Sequence, residues 1–413
     1  MQRLTLWLLA LLVFSIPFEN GVTIPGIGSM SRVLGIVSFG AGMAALVGRG
    51  RLNIRTPSLF VILALLFTLY GISSYFWSVR PGDTLSSSVT VAQLFVLVWL
   101  VWQFCRSKSD SALLMQAFVL GSYVTIAVAF TVFLRASEPT FRNVGSFNPN
   151  EFAIVSALAI PLAWYLSLRS TSRWLTWLNM AYPAVAVLGI VLSASRGGLV
   201  TALVALAIIP LSLFRLDPVR QLLLFGLITA TIWIGFVQAP QLYPELSANI
   251  ERLSSTSEEL ARGDLTGRTA IWSNGQDLFL SSPFFGTGLG TFAYAVEPLL
   301  GRYKDAHNAF LSIAVGGGIA GLALFVALFA VAFITALGAE AAERPFLVIL
   351  ATALIVAMMP SNADTDKFTW FLLALIANQR PLVLGIRSAV PSTARSSAST
   401  AKSGAEPGAE PAA

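Results

Sequence analysis

The feature that constrains this chain most is a series of long stretches without a single Arg, Lys, Asp or Glu. They cover 4–18, 33–48, 56–79, 84–105, 111–134, 152–168, 174–195, 197–214, 221–244, 306–339, 346–363 and 368–379. Most have the roughly 17–25 residues an α-helix needs to cross about 30 Å of hydrocarbon, where each backbone amide must bond within its own segment. Only 11% of the 413 residues are charged and mean hydropathy is +0.76, whereas soluble domains are about a quarter charged. These runs predict an all-α fold, a polytopic helical membrane bundle of about 12 transmembrane helices.

Three details of the pattern predict irregularities. Pro345 and Pro360 bracket a short run, and 368–379 reaches spanning length only if Leu382 to Ile386 extends it past a snorkelling Arg380. A re-entrant hairpin is the alternative there. The run from His307 to Gly338 is too long for an untilted span, so it either projects from the bilayer or bends at Gly316-Gly317-Gly318.

Cytoplasmic loops carry an excess of Lys and Arg, and this sets the orientation. With the N-terminus cytoplasmic, the short inner segments hold 13 such residues, from Arg3 to Arg387. The short outer loops hold 6: Arg32, Arg80, Arg135, Arg142, Arg196 and Lys367. Both termini are therefore expected inside, and the long connection 245–306, between spans nine and ten, is expected on the outer face with Arg196 and His307. The first run ends in Ile16-Pro17-Phe18-Glu19 without a small-x-small cleavage site and reads as a retained anchor. A single cysteine, Cys105, excludes an intramolecular disulfide. The net charge of +6 follows topology rather than nucleic-acid binding, and no nucleotide-binding loop is recognisable. Residues 1–387 read as one polytopic domain, and the Ser/Ala/Pro/Gly-rich stretch 388–413 as a disordered cytoplasmic tail.

Four short polar segments converge on the outer face under this topology. Ser146-Phe147-Asn148-Pro149-Asn150-Glu151 enters the sixth span, with Asn148 as helix cap and Pro149 in the first turn. The carboxylate of Glu151 is suited to orienting a sugar hydroxyl. Ser193-Ala194-Ser195-Arg196-Gly197-Gly198 links spans seven and eight. Arg196 there either snorkels to headgroups or binds phosphate oxygens bidentately, with the Ser193 and Ser195 hydroxyls as added donors. In the long connection, Thr266-Gly267-Arg268-Thr269-Ala270-Ile271-Trp272 reads as a helix start capped by Thr266. Its apolar face, Ile271, Trp272, Leu278 and Phe279, is expected to lie on the membrane surface. A cation such as Arg268 is unfavourable in a first helical turn unless an anion is bound there. The glycines of Pro283-Phe284-Phe285-Gly286-Thr287-Gly288-Leu289-Gly290 read as a tight re-entering turn rather than a phosphate loop. Lys304-Asp305-Ala306-His307-Asn308 stands at the mouth of the tenth span and carries the chain's single histidine. Two arginines to neutralise a leaving diphosphate and an imidazole to take the proton of an attacking hydroxyl make a plausible transfer site. The outer Asp364-Thr365-Asp366 has the pattern of a metal-binding pair, but in a short loop it reads as solvated, so no metal site is expected.

With these segments in this order the chain resembles the O-antigen ligase superfamily, whose members include O-antigen polymerases and some protein O-oligosaccharyltransferases. The matching features are Asn148-Pro149-Asn150, Ser195-Arg196-Gly197-Gly198, Gly267-Arg268 followed by Trp272, Pro283 through Gly290, and His307-Asn308 before a Gly-rich helix. They lie in a core of about 145–377, the largest external loop preceding the His-Asn pair. The resemblance implies transfer of a glycan from a polyprenyl (undecaprenyl) diphosphate to an acceptor hydroxyl at the periplasmic face of a bacterial inner membrane. It implies neither nucleotide, metal nor other cofactor. By matching position, Arg196 and Arg268 would hold the diphosphate and His307 would activate the acceptor, for which lipid A-core is the leading expectation. Asn148, Asn150, Glu151, Ser195, Asn308 and, among the less constant loop arginines, Arg302 would complete a substrate site. A repeat-unit polymerase needs the same donor chemistry, and the motifs do not separate the two. A lipid-linked glycan transporter is a different class, disfavoured because its ionisable groups would sit near the midplane, whereas here they crowd one surface.

Overall fold

The computed structural model describes residues 2–19, 21, 23–24, 28–48, 54–135, 142, 144–256, 258 and 268–379. Apart from a two-residue antiparallel bridge, Thr23–Ile24 with Gly28–Ser29, their regular structure is helical. The helices are α1 (Gln2–Ser15), α2 (Met30–Val47), α3 (Leu59–Ser73), α4 (Pro81–Phe104), α5 (Lys108–Arg135) and α6 (Pro149–Ser167). Next come α7 (Arg173–Ser193), α8 (Arg196–Leu206), α9 (Pro218–Ile232), α10 (Ala239–Leu242) and α11 (Glu245–Ser254). The chain continues through α12 (Arg268–Ser281), α13 (Phe292–Leu300), α14 (Ala309–Leu337), α15 (Arg344–Met358) and α16 (Lys367–Gln379).

Eight of the described helices are long and apolar enough to cross a membrane: α2, α3 extended to Trp77, α4, α5, α6, α7, α8 extended to Leu213, and α14. Shorter apolar helices at Gln2–Phe18, Pro218–Thr231 and Arg344–Met358 coincide with three further uncharged runs, and α16 with the last. The expected polytopic helical bundle is thus present. The proposed extension of the last span beyond Gln379 and the tail 388–413 lie outside the described residues.

Two helices form the middle of the bundle. In α6 every residue from Phe152 to Trp164 is buried, as expected for a helix apolar on all sides. Its alanines permit close approach: a Cβ on Gly198 of α8 would overlap Ala153. Small residues at such contacts drive helix association where lipid supplies no hydrophobic force. In α16, Phe368 through Ala377 is buried without a break, so the shortest uncharged run is covered by protein, chiefly α4 and α14.

The long helix α14 bends at the expected glycines, where Gly318 takes a non-helical φ of 59° and ψ of −163°. A bend frees carbonyls, which must find other donors when buried. Thr287 N donates to Val315 O (2.9 Å), Gly288 N to Gly316 O (2.8 Å), and the Tyr70 hydroxyl to Gly317 O (2.6 Å). Ile319 N returns a bond to Pro283 O (2.7 Å). The glycine-rich turn, with Gly286, Gly288 and Gly290 all at positive φ, is therefore a clamp on the bend. These two amides are engaged with helix carbonyls, as a tight turn requires and a phosphate loop does not.

One expectation is corrected here. Ile271 of α12 is buried with Phe292 and Val296 of α13, Ala306, and Val315 of α14, while Trp272, Leu278 and Phe279 pack against this cluster. The apolar face of α12 covers protein, not membrane, because α13 and the clamped bend offer it a matching surface. The helix begins at Arg268 as expected, and its proposed cap Thr266 lies outside the described residues.

Gly286→Ala and Gly318→Ala should each lower stability by roughly 1–3 kcal/mol, because both positions are left-handed and a Cβ would overlap the opposite backbone. Thermal unfolding of the detergent-solubilised protein checks this against Gly40→Ala, where a Cβ meets open space. Equal midpoints in all three variants would mean that the clamped bend contributes nothing.

Candidate active site

The N-termini of α6 and α8 and the C-terminus of α7 are joined by a residue the sequence marked only as an outer-loop cation. Arg142, itself left-handed at φ 59°, donates from Nε to Ser193 O (3.0 Å) and from Nη2 to Asn150 Oδ1 (2.7 Å). Its amide donates to Asn249 Oδ1 (3.3 Å), and Asn249 Nδ2 donates to Leu192 O (2.9 Å), which ties in α11. The same Asn150 oxygen accepts from Ser195 Oγ (3.0 Å), and Ser195 Oγ in turn caps α8 by accepting from Gly198 N (3.2 Å). Asn148 caps α6, accepting from Asn150 N (2.9 Å) and Glu151 N (3.5 Å). Asn148, Asn150 and Ser195, expected to touch substrate, thus act in this structure as the joints that aim their neighbours.

Arg196 opens α8 and does not snorkel. Its Nε donates to Arg252 O (3.0 Å) and its Nη2 to Ser255 Oγ (3.1 Å), while Arg252 Nε donates back to Ala194 O (3.2 Å). Arg142, Arg196, Arg252 and Arg268 form one patch. Burial and the positive charges of Arg252, Arg268 and Arg196 push the Arg142 guanidinium down to about 10. Burial, then Arg252, lowers Arg268 as well. Arg268 has no hydrogen-bond or ion-pair partner among the described residues. Arg196 and Arg268 each stand at a helix N-terminus, where the backbone dipole already favours an anion. A bound anion would relieve both the mutual repulsion and this unfavourable placement.

The histidine is presented to this patch by α12. Trp272 lies one turn after Arg268 on the same helix face, and its Nε1 donates to Ala306 O (2.9 Å). His307 follows at a left-handed φ of 47°, with its amide donating to Asn362 Oδ1 (2.6 Å). A non-glycine residue held there costs of order 1–3 kcal/mol, offset by the surrounding bonds. Asn308 caps α14 through Leu311 N (3.2 Å). Burial and the Arg268 charge lower the imidazole below its ordinary 6.5, Lys304 adds to this, and Asp305 opposes it. The ring is therefore a neutral acceptor at neutral pH.

The reading of Asp364-Thr365-Asp366 as a solvated loop is corrected. Asp364 is only 7% exposed, because its segment folds onto α16: Trp370 Nε1 donates to Asp364 O (2.8 Å) and Thr369 Oγ1 to Ala363 O (2.7 Å). Burial pushes its carboxyl up to about 7, with Asp305 reinforcing the shift and Ser312 opposing it. Burial raises Asp366 well above the carboxylate range too, together with Glu151, Glu19 and Asp364 and against Lys367. Glu19, Asn148, Glu151 and Asp366 line a cavity of about 20 Å³, room for one water. Among the described residues no three His, Cys, Asp or Glu side chains are grouped to hold a metal ion.

Arg302 is exposed beyond α13, and no described contact joins it to the arginine patch. Arg142 and Arg252 were the residues the sequence did not single out. The available signal was the amphipathic segment 245–254, whose Leu246, Asn249 and Leu253 recur on one helical face beside Arg252.

Residues 181–326 match the family described as O-antigen ligase, a stretch that includes Arg196, Arg252, Arg268 and His307. The chain is also similar to the O-antigen ligase of Pseudomonas aeruginosa strain PAO1, at 24% identity over 338 residues, 77% of this chain and 76% of the relative. These matches agree with the motifs and with the helical membrane fold, and both liken the chain to the O-antigen ligases.

Proposed function

We propose that this protein moves a glycan from a polyprenyl (undecaprenyl) diphosphate donor to an acceptor hydroxyl, such as one on lipid A-core, at the periplasmic face of the inner membrane. The observation that carries the reading is the pairing of a half-buried arginine patch with a depressed imidazole facing Arg268. The acceptor oxygen attacks the anomeric carbon, the bond from that carbon to the diphosphate oxygen breaks, and the diphosphate leaves with the electron pair. His307 accepts the hydroxyl proton. Arg196 and Arg268, supported by Arg142 and Arg252, balance the growing negative charge without reorganising. Fixed guanidinium charge takes the part that a divalent cation plays in other glycosyl transfers. The designation of the Pseudomonas relative supports the ligase form over a repeat-unit polymerase. Glu151, beside Asp366 and the water-sized cavity, is suited to orient a sugar hydroxyl.

Because protonated His307 cannot act as a base, the rate should rise with pH through its pKa. The acid limb of kcat/KM should lie below 6.5, and the limb of kcat at higher pH, since bound diphosphate offsets the Arg268 charge. His307→Ala should cost on the order of 100- to 10,000-fold while donor binding persists. Turnover at the wild-type rate in that variant, with lipid-linked donor in purified membranes, would rule out the general base.

Arg196→Lys and Arg268→Lys should each lose roughly 2–4 kcal/mol of transition-state stabilisation, a rate fall on the order of 30- to 1000-fold. Unchanged kcat/KM in both would return these arginines to a structural role.

Transfer should also persist in EDTA and without nucleotide, and in a variant carrying both Asp364→Asn and Asp366→Asn. Loss under chelation, reversed by magnesium or manganese and reproduced by the double variant, would overturn the metal-free mechanism.

A further inference from the structure

An apolar groove facing lipid selects nothing by itself, because lipid tails are as apolar as the groove and no hydrophobic force separates the two. Selection has to come from polar groups at its end. One groove meets that condition. It runs between α2 and α4, has a volume of about 180 Å³, and is walled by Ile36, Phe39, Leu97 and Leu100. Its floor includes Gly35, where a Cβ would meet nothing within 4 Å, so the absent side chain leaves room that protein does not fill.

Ser31, Arg32 and Lys367 stand at the head of the groove. Ser31 Oγ and Lys367 Nζ both donate to the same Glu19 oxygen, so their polarity is turned inward. Arg32 is exposed, with no hydrogen-bond or ion-pair partner among the described residues. It is the cation left for an anion on a lipid headgroup. The head also has a definite relation to the active site. Lys367 follows Asp366 directly, and Asn362, in the same segment, holds the His307 backbone. The arginine patch stands on the ends of α6, α7, α8, α11 and α12, and this segment also reaches its edge, where Pro360 lies against Gly197. A lipid entering at Arg32 therefore reaches the segment that holds His307, where the attacking hydroxyl is needed.

We infer that this groove seats an acyl chain of the acceptor lipid, with a headgroup phosphate on Arg32. The inference rests on the reading above in taking the acceptor to be lipid-anchored. Gly35 sets the space for the chain, and Arg32 distinguishes a phosphorylated lipid from a neutral one.

The test is binding of purified lipid A-core to the full-length protein, measured by native mass spectrometry without donor, in wild type, Arg32→Gln and Gly35→Trp. Gly40→Trp, on the same helix but outside the groove, serves as the control, and replacing glycine in a helix does not weaken the helix itself. Arg32→Gln should weaken lipid A-core binding on the order of fivefold and leave a dephosphorylated form unchanged. Gly35→Trp should weaken both forms, and neither variant should alter binding of the polyprenyl diphosphate donor. Unchanged binding of lipid A-core in both variants, or loss of phosphatidylglycerol binding alone, would overturn the inference. A wild-type protein that binds lipid A-core through this groove yet transfers nothing to it would instead sink the proposed transfer.

Discussion

Half-buried guanidinium groups near one another raise each other's energy, and Arg142, Arg196, Arg252 and Arg268 stay together because separate helices hold them. The bonds that do so are reciprocal: Arg196 reaches the carbonyl of Arg252 while Arg252 reaches the carbonyl before Ser195. Much of the geometry at this end of the bundle serves the same purpose. Asn150 takes bonds from Arg142 and Ser195 on one oxygen, and Ala194 turns left-handed so that α7 can hand over to α8. A patch held this way is already arranged for negative charge, which is where electrostatic catalysis gains most.

The bend in α14 solves a second problem in the same region. Buried carbonyls released at Gly316-Gly317-Gly318 need donors, and the glycine-rich turn supplies them while Tyr70 closes the last. That turn also orders α12 and α13, which present Arg268 and, through the Trp272 bond to Ala306, fix the approach to His307. The catalytic reading of the histidine thus depends on a bond network whose centre lies within the long apolar helix.

Charge is divided by sign across the site. The arginines occupy the side built from α6, α7, α8, α11 and the start of α12, and the carboxyls of Glu19, Glu151, Asp364 and Asp366 gather where α6 meets the segment before α16. His307 stands between, depressed by Arg268 and opposed by Asp305. The two surroundings differ in charge, one cationic and one lined by carboxyls, of which burial raises Asp364 and Asp366.

Much of this was legible in the chain itself, for a physical reason. Hydrocarbon forbids unpaired charge and unbonded amides, so uncharged runs announce helices, and every such run falls on one. Local rules were equally dependable: Asn148 and Asn308 cap their helices, Arg268 opens its own, and the triple glycine bends the longest. Relations between distant segments were another matter. Nothing local says that the α12 face covers α13 instead of the membrane, that Asp364 is buried by Trp370, or that Arg142 and Arg252 join Arg196. Burial of a charge and the choice of its partner are decided by whichever helices meet, and only the tertiary structure brings those helices together.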